Sequence, residues 1–288
     1  MDHFNYQQDI LFAEDVALSN IAEQYGTPSY VYSRATLERH AKAYTESFKS
    51  MNGLVCFSVK ALSNISILKV LKQCGCGFDI VSGGELHRAL LAGADPQKII
   101  FSGVGKSKAE MAAGIKSNIL SFNVESESEL MALEEVAKEL NAIAPVAIRF
   151  NPGVDAGGHE FTKTGRKSDK FGVSINETMR LTDKCIKSNN LNIVGLTCHI
   201  GSQISELEKF KEAAAQSLKL LLDVEKLGAE LNFIDMGGGL GVTYVDEKTV
   251  QPHELIKCYE EIFQGRPERL IVEPGRSISA NAGILLTK

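Results

Sequence analysis

The stretch Val55-Cys56-Phe57-Ser58-Val59-Lys60 is the most informative part of this chain. Five apolar or small residues run directly into a lysine, and a helical pattern follows. Burying an ammonium group costs several kcal/mol unless the group is paired or used chemically. Burial also lowers the pKa of a lysine and favours a nucleophilic amine that can form a Schiff base. A lysine at a strand end can equally extend its amine to water, and Lys60 taken alone favours that structural role.

Similar short apolar runs recur along the chain and alternate with helical stretches, which is typical of βα units with parallel strands. The eight candidate strands are Leu54–Val59, Gly77–Val81, Ile99–Phe101, Leu120–Val124, Pro145–Phe150, Ile193–Cys198, Phe233–Met236 and Leu270–Val272. Eight such units over roughly 250 residues predict an α/β protein with a (β/α)8 barrel. A doubly wound sheet is disfavoured, because Lys60-Ala61-Leu62-Ser63 is not the glycine-rich turn expected after its first strand.

Helix starts are signalled by a serine followed three residues later by a glutamate, the capping-box pattern. The pattern occurs before five helical runs, at Ser82/Glu85, Ser107/Glu110, Ser126/Glu129, Ser174/Glu177 and Ser205/Glu208. Upstream of the barrel, the sequence predicts a helix from Val16 to Tyr25 that ends at Gly26. It also predicts a strand over 28–32 and a helix over 35–49.

Composition and charge exclude several classes of function. The 288 residues carry a formal net charge of −5 without basic runs, which argues against nucleic acid as the main partner. The chain shows neither a signal-peptide pattern nor an apolar run of membrane-spanning length, so we predict a cytoplasmic protein with no membrane partner. Cys74-Gly75-Cys76 lacks a second ligand pair, and we predict no metal site.

Polar residues stand at the carboxyl end of every predicted strand, where barrels of this kind place their active sites. These residues are Lys60, Asp79, Ser102-Gly103, Asn123-Glu125, Arg149-Asn151, His199, Gly237-Gly238-Gly239 and Glu273. The glycine run after strand seven and Glu273-Pro274-Gly275-Arg276 after strand eight can surround a phosphate with backbone N–H groups and a cation. A glycine run alone could equally be a flexible turn.

A lysine near a phosphate site suggests pyridoxal 5′-phosphate bound through its aldehyde. A carboxylate such as Glu273 against the pyridine nitrogen would keep that nitrogen protonated and make the ring a strong electron sink after loss of CO2. An arginine in the same place would weaken the sink and suit racemisation. His199 could stack on the ring, although a lone strand-end histidine is more often structural.

Taken together, these segments resemble the fold-type III pyridoxal-phosphate decarboxylases with an alanine-racemase-like barrel, and within them the diaminopimelate decarboxylase family. The resemblance covers about residues 28–288. The matching motifs are Phe57-Ser58-Val59-Lys60-Ala61, Gly77-Phe78-Asp79-Ile80-Val81-Ser82-Gly83-Gly84-Glu85-Leu86, Phe101-Ser102-Gly103-Val104-Gly105-Lys106, Phe122-Asn123-Val124-Glu125-Ser126, Arg149-Phe150-Asn151-Pro152-Gly153, Cys198-His199-Ile200-Gly201-Ser202-Gln203, Gly237-Gly238-Gly239-Leu240-Gly241 and Glu273-Pro274-Gly275-Arg276.

The resemblance implies a role for each matching residue. The implied catalytic residues are Lys60, which would form the internal aldimine, His199 on the cofactor ring and Glu273 at the pyridine nitrogen. The implied cofactor-binding set is Lys60, Asp79, His199, Ser202, Gly237, Gly238, Gly239, Glu273, Pro274, Gly275 and Arg276. Arg276, His159 and Thr164 would contact the substrate. Asp79 and Arg149 resemble the network that positions the lysine.

The implied reaction is decarboxylation of meso-2,6-diaminopimelate to L-lysine and CO2, the last step of lysine biosynthesis. The pattern His159, Thr164-Gly165 and Lys170-Phe171-Gly172 favours this substrate over those of ornithine- or arginine-type decarboxylases, which remain the alternative. A racemase is disfavoured by Glu273. A non-catalytic barrel that binds pyridoxal phosphate is a further alternative, and retention of Lys60 argues against it.

The chain ends shortly after the predicted barrel, whereas the family continues into a β-domain. We therefore expect residues 1–34 to be an N-terminal segment that packs with that domain. Residues 35–276 would form the cofactor-binding barrel, and residues 277–288 would begin the β-domain, most of which is absent. We expect a homodimer for the full-length protein and poor turnover by this length of chain alone.

Overall fold

A closed barrel of eight parallel strands forms the centre of the computed structural model, which describes residues 3–155 and 171–288. The strands, in barrel order, are β5 Gly53–Ser58, β6 Gly77–Ile80, β7 Ile99–Phe101, β8 Ser121–Val124, β9 Ala144–Arg149, β10 Leu191–Thr197, β11 Phe233–Asp235 and β12 Arg269–Val272. Strand β12 pairs with β5 and closes the barrel. The predicted (β/α)8 fold and all eight predicted strands are confirmed.

Helices follow the barrel strands and cover their outer face. Before the barrel lie α1 Leu18–Tyr25 and α2 Arg34–Thr45, and the others are α3 Ile65–Gln73, α4 Gly83–Leu91, α5 Lys108–Lys116, α6 Glu127–Glu139, α7 Ile175–Lys187, α8 Leu207–Glu225, α9 Pro252–Ile262 and α10 Arg276–Ser279. Four of the five predicted serine caps accept a hydrogen bond from the N–H three residues on. The fifth is wrong, because α8 begins at Leu207 after Glu206.

The N-terminal region contains more strand than the sequence predicts. It starts with an antiparallel sheet of β1 Phe4–Gln7, β2 Ile10–Ala13 and β3 Val16–Ala17. The predicted helix from Val16 therefore starts two residues later, because Val16 and Ala17 pair with β2. Strand β4 Ser29–Tyr32 pairs with β13 Gly283–Leu286, so residues near the two ends of the chain lie side by side.

The barrel interior has an apolar floor and a polar rim. A compact apolar cluster fills the interior with Leu54, Cys56, Ile100, Ala147, Val194, Phe233 and Ile271. Side chains alternate across a strand, so the next inward positions toward the carboxyl ends are polar. They include Ser58, Ser102, Arg149, Asp235 and Glu273, and the register places Asp79 beside Ser58. This change from apolar to polar interior defines the mouth of the barrel as the candidate site.

Three further observations concern the cysteines, membrane-spanning helices and metal sites. All six cysteines are free, and five of them are buried. Across residues 3–155 and 171–288, no helix is both long and apolar enough to cross a membrane. The same residues contain no group of three or more His, Cys, Asp or Glu side chains that could hold a metal ion.

Candidate active site

Lys60 lies at the barrel mouth beside a buried aspartate. Strand β5 ends at Ser58, one residue before the predicted end, and a single 3-10 turn over Val59–Ala61 carries the lysine. Its Nζ donates a hydrogen bond of 2.6 Å to Oδ2 of Asp79, whose side chain is fully buried. Ser58 Oγ donates to the same oxygen over 3.0 Å. The amine is therefore oriented by a carboxylate that itself has a fixed position.

The lysine amine is more basic in this protein than the sequence argument assumed. Burial lowers the pKa of Lys60, but the charges of Asp79 and Glu273 outweigh burial, and the pKa is raised. Its side chain is also 52% exposed rather than fully buried. The expectation of a depressed lysine pKa is thus wrong for the cofactor-free protein, because the negative charges of the mouth dominate.

A second buried ion pair supports the opposite side of the mouth. Arg149 Nη1 donates to Oε1 of Glu125 over 2.9 Å, and the side chain of Glu125 is almost fully buried. The same carboxylate oxygen accepts the N–H of Gly103. The Arg149 guanidinium lies 5.2 Å from the ring centroid of Phe171. These contacts fix a cation at the end of β9.

The glycine run after β11 is closely enclosed by backbone. A Cβ on Gly238 would lie 2.2 Å from the carbonyl oxygen of Glu273. Gly239 has a φ of +106°, which L side chains rarely adopt, and a Cβ there would lie 2.4 Å from the carbonyl oxygen of Gly201. The two positions therefore require glycine, which disfavours the alternative of a merely flexible turn.

Arg276 begins the short helix α10 at the rim of the same cavity. Its Nη1 donates a 2.6 Å hydrogen bond to the hydroxyl of Tyr244, a residue that the sequence analysis did not single out. No motif indicated Tyr244, since it lies in the irregular segment between β11 and α9. The contact places a guanidinium beside the glycine run, where it can pair with an anionic group.

His199 follows β10 and is fixed by the glycine run. Its Nδ1 accepts the N–H of Gly238 over 3.2 Å, which leaves the ring proton on Nε2. Burial, followed by the positive charges of Arg149 and Lys60, lowers the pKa of His199 to about 3. The imidazole is therefore neutral at physiological pH and presents an uncharged ring to the cavity.

The depressed pKa of His199 makes the cofactor-free protein sensitive to acid. An unfolded histidine binds a proton below about pH 6.5, whereas folded His199 resists protonation until about pH 3. We therefore expect the free energy of unfolding to lose at most about 1.4 kcal/mol per pH unit below pH 6.5 from this residue. Between pH 7.5 and 5.5, urea titration of His199→Gln should show a smaller loss in the free energy of unfolding than the wild type shows. His253→Gln, at an exposed position, should retain the wild-type loss, and equal losses in all three proteins would contradict the assignment.

Glu273 and Asp235 form the acidic side of the mouth. Glu273 follows β12 with 8% of its surface exposed, and Asp235 ends β11 fully buried. Within the described residues, Oε1 of Glu273 and Oδ2 of Asp235 are buried and accept no hydrogen bond from a protein donor. The sequence analysis did not assign a role to Asp235, although the alternation Phe233, Asp235 already places it on the inward face.

The structure brings most of the predicted site residues together. Lys60, His199, Ser202, Gly239, Glu273, Gly275 and Arg276 line one cavity of about 430 Å³. A deeper cavity of about 230 Å³ shares Lys60, His199 and Glu273 with it and reaches Ser102, Asn123, Arg149 and Phe171. Asp79, Gly237, Gly238 and Pro274 form the supporting backbone and side-chain contacts behind these walls. The predicted substrate contacts His159 and Thr164 lie outside the described residues.

Comparison with known proteins identifies the class first. The family model described as "Pyridoxal-dependent decarboxylase, pyridoxal binding domain" matches residues 34–280. The barrel and its mouth therefore belong to a pyridoxal-dependent decarboxylase.

Comparison with individual proteins identifies the family within this class. The chain is 46% identical to the diaminopimelate decarboxylase of Haemophilus influenzae, covering all of this chain and 70% of that protein. It is 48% identical to that of Pseudomonas aeruginosa, covering 69% of that protein. A crystal structure of the Helicobacter pylori enzyme complexed with L-lysine superposes with a TM-score of 0.91 at 40% identity, over 93% of this chain and 68% of that one. The chain belongs to the diaminopimelate decarboxylase family.

Proposed function

We propose that this chain carries out the pyridoxal-phosphate-dependent decarboxylation of meso-2,6-diaminopimelate to L-lysine and CO2. The observation that carries the proposal is the Lys60–Asp79 contact at the barrel mouth. It occurs in a chain 46–48% identical throughout to diaminopimelate decarboxylases. This level of identity favours diaminopimelate as the substrate over those of the ornithine- and arginine-type alternatives.

The residues at the mouth fit pyridoxal 5′-phosphate. Gly239 lines the cavity and can offer its backbone N–H to a phosphate, with Ser202, Gly275 and Arg276 on the same wall. Gly237 and Gly238 donate their N–H groups to Asp235 and His199 and so fix the shape of the turn. The unpartnered Oε1 of Glu273 is a suitable acceptor for a protonated ring nitrogen. Lys60 would hold the aldehyde group covalently, and the neutral His199 ring would cover one face of the cofactor.

The bound cofactor supplies an electron sink for the pair of electrons that remains when CO2 leaves. Asp79 orients Lys60 Nζ at the cavity wall and favours its protonated form in the cofactor-free protein. Glu273 lines the cavity, and Asp235 is buried on the neighbouring strand. Arg276, exposed at the rim, is available for a carboxylate of the substrate.

Substrate choice is tested by supplying the chain with pyridoxal 5′-phosphate and either meso-diaminopimelate, L-ornithine or L-arginine. We expect CO2 release and L-lysine formation with the first, and at least about tenfold lower kcat/KM with the others, because a site complementary to a distal ammonium and carboxylate leaves buried polar groups unpaired when one is missing. Equal turnover of ornithine would favour the alternative decarboxylase. Racemisation without CO2 release would overturn the reaction class.

The predicted domain arrangement and assembly belong to the same proposal. Residues 35–276 include all eight barrel strands, and the paired strands β4 and β13 flank the barrel region in sequence. We propose a cytoplasmic homodimer for the full-length protein, on the basis of the family resemblance. His159 and Thr164 remain proposed substrate contacts on the same basis. Sedimentation of the full-length protein would test the dimer.

A further inference from the structure

The buried acids at the barrel mouth differ in how their charge is balanced. Asp79 is paired with Lys60, Glu125 with Arg149, and Glu129 with Lys106. Asp235 and Glu273 have no cation within ion-pair distance among the residues that the structure describes. Two buried carboxyl groups without a cation require another explanation, since an ionised carboxylate in a water-excluded interior is costly.

The two acids are buried at the ends of neighbouring strands. Strands β11 and β12 are parallel neighbours, with Asp235 in register with Ile271 and the Glu273 N–H donating to the Gly237 carbonyl over 2.7 Å. Asp235 and Glu273 each follow a residue of the apolar floor, Phe233 and Ile271, as the next inward position, and each buried carboxyl group shifts the pKa of the other. Oδ1 of Asp235 accepts the Gly237 N–H over 2.8 Å. One oxygen on each acid, Oδ2 and Oε1, remains without a protein donor.

Two neighbouring buried carboxyl groups can form a hydrogen bond with each other only if a proton lies between them. Two carboxylates cannot both ionise in a shared buried site, and such pairs retain one proton. We propose that Asp235 and Glu273 form an acid–carboxylate pair holding one proton, and that Asp235 is the positioning residue that fixes Glu273 and its protonation toward the cofactor nitrogen. The cofactor part of this inference rests on the proposed function, whereas the proton pair concerns the protein alone.

The electrostatics agree with this arrangement. Burial raises the pKa of Asp235 to about 6. Burial, followed by the charges of Asp235 and Asp79, raises the pKa of Glu273 well above its usual range. The proton therefore resides mainly on Glu273. The titratable and polar groups near the pair are Lys60, Asp79, Thr197, Cys56, Cys198 and Tyr259, together with Arg149 and His199, which line a cavity with Glu273. Burial raises the pKa of the two thiols and the phenol, which stay neutral.

Infrared spectroscopy of the full chain without cofactor tests the pair directly. Near neutral pH the wild type should show the carbonyl band of a buried protonated carboxyl group. Asp235→Asn and Glu273→Gln should each lose it, because either substitution gives the remaining acid an amide N–H donor in place of a neighbouring carboxyl group. Glu268→Gln removes a buried acid paired with Arg266 and should keep the band. A band that persists in Asp235→Asn would mean that burial alone protonates Glu273, and the pair would be refuted.

The pH dependence of stability gives a second readout. A raised folded-state pKa contributes stability at low pH that is lost as pH rises, since the folded state holds a proton that the unfolded acids release above about pH 5. Above pH 6.5, where His199 no longer contributes, the unfolding equilibrium constant of the wild type should rise with pH more steeply than that of Asp235→Asn, by about tenfold per pH unit. Parallel profiles for the two proteins would refute the shared proton even if Asp235→Asn were less stable overall.

Failure of the inference is distinguishable from failure of the proposed function. Pyridoxal 5′-phosphate followed by borohydride should label Lys60 in the wild type whether or not the proton pair exists. Labelling of Lys60 without the infrared band would refute the pair and leave the decarboxylase assignment standing. The infrared band without labelling would support the pair and count against cofactor binding.

Discussion

Lys60→Ala is expected to lower kcat on diaminopimelate by roughly a thousandfold or more, the scale on which loss of a covalent and proton-handling group slows an enzyme. The variant removes the amine that lines the cavity and donates to Asp79 Oδ2 at 2.6 Å. The hydroxyl of Ser58, which donates to the same oxygen, cannot form the imine. The measurement is steady-state CO2 release with saturating pyridoxal 5′-phosphate. Peptide mapping after borohydride reduction should also show that labelling at position 60 is lost.

The chain offers a closely matched control. Lys108 is 56% exposed, against 52% for Lys60, and its Nζ lies 2.7 Å from Oε2 of Glu135. Lys108→Ala should leave kcat and cofactor labelling unchanged, because its partner is an exposed surface acid. Lys60→Arg keeps a cation opposite Asp79 and should fold while remaining inactive. Turnover by Lys60→Arg near the wild-type rate would contradict a covalent role for the amine.

The barrel was predictable from the sequence because parallel strands are buried on both faces and produce short continuous apolar runs. Every observed barrel strand begins and ends within two residues of its predicted bounds. The polar residues at the strand ends were predictable for the same reason, since each apolar run stops where the interior becomes polar. The N-terminal sheet was missed because Gln8 and Asp9 make the turn with φ values of 47° and 66°. Such turns usually contain Asn-Gly or a similar pair, so the hairpin lacked its usual signal.

The electrostatics of the site depended on contacts that composition and spacing do not specify. Asp79 follows Lys60 by 19 residues, and only the register of β5 with β6 brings its carboxylate to the amine. That contact reversed the expected direction of the lysine pKa shift. Asp235 lies within the predicted strand Phe233–Met236, but only the glycines that follow this strand were given a role. The inward alternation of Phe233 and Asp235 beside Ile271 and Glu273 would have indicated an acid pair.

The failed helix start at Ser205 has a local cause. Ile204 donates its N–H to the Gly239 carbonyl over 2.9 Å and accepts the Gly241 N–H over 3.0 Å. This bridge holds the segment before α8 against the glycine run, and the helix begins only after Glu206. A capping pattern describes local preference, whereas here a contact with a segment more than thirty residues away sets the boundary.

Arg149→Met is expected to produce the largest loss of stability among simple substitutions at the mouth, about 3 to 5 kcal/mol, because removing one partner of a buried ion pair leaves the other charge uncompensated. Glu125 would retain only the Gly103 N–H on Oε1, and its Oε2 already has no protein donor. The free energy of unfolding measured by urea titration of the cofactor-free chain gives the loss directly.

The double variant Arg149→Met/Glu125→Gln separates charge burial from packing. Neutralising the stranded carboxylate should recover most of the lost stability, although the packing of the guanidinium against Phe171, 5.2 Å from its centroid, is still missing. The exposed pair Arg180–Glu127 provides the comparison, with side chains 54% and 36% exposed. Arg180→Met should cost far less than Arg149→Met, because water screens an exposed pair and solvates the remaining charge. Equal costs for the two arginine substitutions would mean that Glu125 is not buried as a charge, and the electrostatic account of this side of the barrel mouth would have to be abandoned.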